Sequence, residues 1–145
     1  MDRPTRGPEL PPDPVRDHLK AVRLGLFRLH KALIDSERAV FEGLHGPQSN
    51  GQFLQALIGD DFFAWLRPFT GVIVRMDEAL ATREPIPEAE TRGFLDEAGR
   101  LVMSADDEAA AERFAEARLR DSTVQFLHSE LARRIAEGPA AADGG

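Results

Sequence analysis

Residues 14–45 read PVRDHLKAVRLGLFRLHKALIDSERAVFEGLH, and apolar side chains recur along them every three or four positions. That is the period of a helix with one buried face. Pro14 suits a first helical turn and Gly46-Pro47 ends the run, which predicts a helix of about 31 residues, roughly 46 Å at 1.5 Å per residue. No comparable period-2 stretch accompanies it, because the β-branched run Val72-Ile73-Val74 lies inside a longer helical pattern. The expected fold class is all-α: a helical bundle with two long antiparallel helices, a short connecting helix and about three further helices.

Working outward, Ser49 with Gln52 has the spacing of a capping box and opens a short helix through Ile58, ended by Gly59. Asp60 or Asp61 can cap the second long helix, expected to run to about Arg83 with a kink near Pro68. Pro85-Ile86-Pro87 breaks the chain. Three helices should follow over 88–103, 106–118 and 121–137, with Asp106 and Asp121 as caps. Five of the ten prolines fall in the first fourteen residues, so residues 1–14 are expected to be a flexible leader. Residues 15–137 read as a single domain and 138–145 as a flexible tail.

The chain has 145 residues, 42% apolar and 30% charged, with a formal net charge of −7. A chain this acidic has no overall basic field to gather nucleic acid or an anionic membrane, so neither partner is expected. With no cysteine there is no disulfide framework, thiolate metal site or cysteine nucleophile. No apolar run approaches the roughly 20 residues that cross a bilayer, and the N-terminus lacks the apolar core of a signal peptide, so the cytoplasm is the expected compartment. Charge is uneven: ten acids stand against Arg92, Arg100 and Arg113 between Glu84 and Glu116, whereas Arg16 to Arg38 carries six bases against three acids. These regions could attract one another within a chain or between chains, or be ordinary solvated surface.

The run Leu29-His30-Lys31-Ala32-Leu33-Ile34-Asp35, the stretch Phe62-Phe63-Ala64-Trp65-Leu66-Arg67-Pro68 and the segment Ile73-Val74-Arg75-Met76-Asp77-Glu78 carry a likeness over about residues 24–80. In these motifs the chain resembles an uncharacterised family of small bacterial helical proteins. The resemblance implies a helical fold and a bacterial origin, and that family brings no established activity, cofactor or substrate.

Several polar residues share the apolar sector. On a wheel of 100° per residue, Arg23, His30 and Glu37 fall within about 60° of Leu26, spaced by sevens. Thr70 and Asp77 fall within about 40° of Leu66 on the second long helix. If the two helices pack antiparallel with His45 level with Asp61, Asp77 stands level with His30 and Glu37 with Thr70. A His30–Asp77 hydrogen bond is expected, with Glu37 answered by Thr70, Arg67 or Arg23, since buried polar groups require partners. The set reads either as a network fixing helix register or as a pocket in which Asp77 orients His30 as a base or ligand. A di-iron site would need two Glu-x-x-His motifs, and Glu42-Gly43-Leu44-His45 alone fits, with Glu42 facing outward. No metal or cofactor is expected. His18 and His128 read as solvated side chains.

Five of the ten aromatic residues crowd between Phe53 and Phe69. Phe62, Trp65, Phe69, Val72 and Met76 give the second long helix an apolar arc wide enough to be either core or an exposed seam for a partner. The expected function is non-catalytic, through self-association, most simply a homodimer, or binding of a partner protein. The alternative is a small-molecule- or metal-binding bundle, possibly an enzyme, around His30, Glu37 and Asp77.

Overall fold

The structure, a computed structural model, describes residues 13–103 and 106–139. Of the expected leader and tail, residues 1–12 and 140–145 lie outside the described residues. Among the described residues the chain is all-α, with six α-helices and one 3-10 segment. They are α1 Pro14–His45, α2 Asn50–Gly59, the 3-10 segment Asp61–Leu66, α3 Arg67–Ala81, α4 Glu88–Met103, α5 Glu108–Arg120 and α6 Ser122–Glu137.

α1 is the spine. Asp13 caps it by accepting from Arg16 N at 3.0 Å, and it stops where Gly46 takes a φ of 86°, a conformation that favours glycine. Its buried residues include Leu19, Val22, Leu26, Leu29 and Leu33, alternating by threes and fours, and α3, α4, α5 and α6 all pack on it. α6 packs tightly here: a Cβ added to Gly25 would lie 3.0 Å from Leu131 Cδ1, so a larger residue would make that side chain shift. The apolar face of α1 does not extend to its last turn, where Leu44 is exposed among the described residues.

The capping box of α2 forms as expected, with Ser49 N donating to Gln52 Oε1 at 2.9 Å and Gln52 N to Ser49 Oγ at 3.1 Å. Glu42, expected to face outward, is half-buried and closes the preceding corner by accepting from Gln48 N at 2.8 Å. The second long helix differs from expectation. Instead of one kinked helix there is a 3-10 segment, and Pro68 sits in the first turn of α3. Proline has no N–H and its ring would strike the carbonyl four residues back, which favours a first-turn position over a helix interior. α3 ends at Ala81, short of Arg83, and the Arg16 guanidinium takes the carbonyls of Leu80 (2.8 Å), Thr82 and Glu84 (3.3 Å) near that end.

This break resets the register against α1. Phe62 and Phe63 pack on Phe41 at ring distances of 5.2 and 5.1 Å, which sets the level of the return. The 3-10 segment then rises about 2.0 Å per residue against 1.5 Å for α-helix. Asp77 consequently arrives opposite Arg23, seven residues from His30 and roughly 10.5 Å along the α1 axis. α4 spans the expected residues, but α5 starts after Asp107, which accepts from Ala109 N and Ala110 N, while Asp106 pairs with Arg100. Asp121 caps α6 as expected.

Candidate functional site

The five polar residues singled out on α1 and α3 fall into two separate places. Arg23 and Asp77 form one rung on the α1–α3 seam, with Nε 2.6 Å from Oδ1 and Nη2 donating to Oδ2 at 3.2 Å. The expected His30–Asp77 bond is not made: His30 Nε2 lies 3.4 Å from Thr70 Oγ1, and its ring stacks on Phe69 at 5.8 Å. This seam is half in water, the Asp77 side chain keeping 48% of its exposure and Arg23 30%. Burial holds the His30 pKa below its ordinary value, opposed by a hydrogen bond with the Leu66 backbone.

Glu37 is different. It is 1% exposed, and its partners come from the other side of the molecule. Arg113 and Arg120 of α5 both donate to it, Arg120 at 3.0 Å, and Trp65 Nε1 donates to the same carboxylate at 3.4 Å. Arg120 also donates to Ser36 Oγ at 2.8 Å, and Arg113 to the Phe62 carbonyl at 3.3 Å while lying 4.2 Å over the Phe62 ring. The expected partners are engaged elsewhere: Arg67 donates to the Asp60 carbonyl at 2.7 Å, Arg23 meets Asp77 and Thr70 meets His30. Every neighbour of the carboxylate named here is a donor, so it is locked as an acceptor and serves to hold α1, α5 and the 3-10 segment together. The sequence reading missed Arg113 and Arg120. Their spacing of seven on one helix was the available signal, since it puts both on one face of α5.

The apolar arc of α3 also differs from the expected seam. Met76, Phe69 and Val72 are buried in the common core, and Phe62 and Trp65 are half-buried against it. Phe114 of α5 covers this face, with its ring 5.9 Å from Trp65 and 6.2 Å from Phe69. What the cover leaves open is a cleft of about 620 Å³ between the 3-10 segment and α3 on one side and α4 and α5 on the other. Trp65, Pro68, Phe69, Val72 and Leu101 give it an apolar lining. The charged residues around it are largely paired: Arg75 with Glu97, Arg100 with Asp106 at 3.1 Å, and Arg113 with Glu37 beneath the floor. Trp65 joins the two layers, since it lines the cleft and donates to Glu37.

A smaller opening of about 390 Å³ lies between α2 and the α1–α3 seam, lined by His30, Leu57, Ile58, Leu66 and Thr70. Glu37 and Asp77 do not line it, so the three residues expected to centre one pocket are dispersed. His18 and His128, expected in solvent, are buried because α6 packs over that flank of α1 and His128 lies one turn from Val124. His128 Nε2 meets the Val102 carbonyl at 3.1 Å, while His18 Nε2 has no hydrogen-bond partner among the described residues. Among the described residues no group of three or more His, Asp or Glu is placed to hold a metal ion, and no helix is long and apolar enough to cross a membrane.

The fold and site define a helical bundle with an open, apolar-floored cleft. No protein-family model, curated protein or solved structure matches the chain.

Proposed function

We propose that the protein is a non-catalytic binding protein that takes a small, largely apolar ligand into the cleft between α3 and the α4–α5 pair. The observation that carries this reading is the cleft itself. Its volume of about 620 Å³ lies within the roughly 300–1,000 Å³ of small-molecule sites, and it is lined by both apolar and charged side chains. Trp65 is the sole tryptophan and is held by Glu37, which gives the ligand a fixed wall. A bacterial cytoplasm is the setting proposed, supported by the resemblance in sequence and by a chain that folds without disulfides.

Native mass spectrometry of the protein purified from its own cells tests this. A retained small molecule that is lost in Ala110→Phe, which fills the cleft from α5, supports the reading; a molecule retained equally by both proteins overturns it.

A second reading, self-association as a homodimer, draws on α2. Its ten residues carry no charge, and Leu54 and Ile58 on it are 56% and 68% exposed. A bare dimer that Ile58→Asp converts to monomer would favour this reading over the first.

A further inference from the structure

We infer that the cleft selects organic cations: ligands with an apolar body and a positively charged group. This rests on reading the cleft as the ligand site and adds the charge of what enters it. Arg75 faces Glu97, Arg100 faces Asp106, and Arg113 shares Glu37 with Arg120, so each lining arginine is already engaged with a carboxylate among the described residues. The carboxylates are in excess. Asp61 and Asp107 also line the cleft, and neither has a cation partner among the described residues.

Asp61 opens the 3-10 segment and is exposed. Asp107 accepts from Ala109 N and Ala110 N through Oδ1 alone, at 3.0 and 3.2 Å, which leaves Oδ2 for another donor. The surrounding stretch has the same sign, with ten acids against three arginines from Glu84 to Glu116. Trp65 adds an aromatic lining, and a cation next to an aromatic face is attracted as well as solvated. An anion entering here would meet Asp61 and Asp107 with the lining arginines already engaged, and a neutral molecule would gain no charge attraction from either carboxylate. Charge complementarity and an apolar floor therefore point to one ligand class.

Tetraphenylphosphonium and tetraphenylborate have nearly the same shape and opposite charge, and Trp65 emission reports their entry. The phosphonium should bind saturably and at least about tenfold more tightly than the borate. In Asp61→Asn/Asp107→Asn the preference should fall to about threefold or less, because asparagine still caps α5 while the charge is gone. The same charge change at Asp17 and Asp35 on α1 should leave it intact, and Asp61→Asn alone gives a partial loss should the double variant fold poorly. Equal or tighter binding of the borate, or a phosphonium preference that survives in Asp61→Asn/Asp107→Asn, overturns the cation assignment while leaving the cleft as a binding site. Failure of both ions to move Trp65 emission overturns the cleft reading itself.

Discussion

Arg23 and Glu37 stand fourteen residues apart on one flank of α1, and each makes an ion pair with a distant helix, yet the two regions are unlike. At the α1–α3 seam the carboxylate and the guanidinium both keep much of their contact with water. At the α1–α5 junction the Glu37 side chain is 2% exposed and has given up its hydration to two guanidiniums and an indole N–H. The seam keeps more contact with water, so losing a partner there costs less than at the junction. At the junction a carboxylate in a core has no other donors to turn to. Heptad position on a helix is thus a poor guide to energetic weight; what lies over the residue decides it.

The largest effect should come from Glu37→Ala. Losing one member of a fully buried ion pair costs roughly 3–5 kcal/mol, and because Arg113 and Arg120 stay about a third exposed we expect about 2–3 kcal/mol here. Urea denaturation measures it, and a loss no larger than that of a seam variant would erase the distinction between the regions.

Acid comes next, and it acts most on the side of the molecule that α6 covers. Burial is the first cause holding His18, His30 and His128 below their ordinary value of 6.5. Arg134 adds to this at His18, where Glu137 opposes it, while the Val102 carbonyl opposes it at His128. A depressed folded-state pKa means the unfolded chain binds protons first. Stability is therefore complete above about pH 6.5 and declines as pH falls below it. Melting curves from about pH 8 to about pH 5 should show that decline, and His18→Gln should flatten it. A flat profile in the parent protein would place these imidazoles in water.

Trp65→Phe keeps the aromatic packing and removes the one indole N–H, so it should cost about 1 kcal/mol, the net worth of a hydrogen bond. In a double-mutant cycle with Glu37→Gln that cost should shrink, and full additivity would mean that the two side chains do not interact. Smallest of all, Asp77→Ala should cost only about 0.2–1 kcal/mol, and less still in high salt, as exposed pairs do. A salt-independent loss above that range would show the seam to be as dry as the junction.

Part of this was legible before any coordinates. The capping box Ser49–Gln52, the Gly46-Pro47 stop and the Asp121 cap are local devices, each worked out between residues a few positions apart, and all appear as read. Glu37 was correctly placed on the buried face, since its wheel position depends only on its own helix. Its partners were not legible. Pairing α1 with α3 required a register, and the register turned on the 3-10 rise and on Phe41 receiving Phe62 and Phe63. The register therefore lies seven residues from the one an unbroken helix would give, and His30 meets Thr70 while Asp77 meets Arg23. The same limit hid the outcome for Phe69, Val72 and Met76, which are apolar in either a seam or a core until α5 is known to cover them.

The sequence by itself determined where helices begin and end and which stripe of each is apolar, because capping and periodicity are short-range properties of a chain. Only the tertiary structure decided which charges meet, which histidines leave water, and that a cleft stays open beside Trp65. Those outcomes depend on the level at which one helix stops against another. An offset of two turns between packed helices changes every long-range pair while leaving each helix intact.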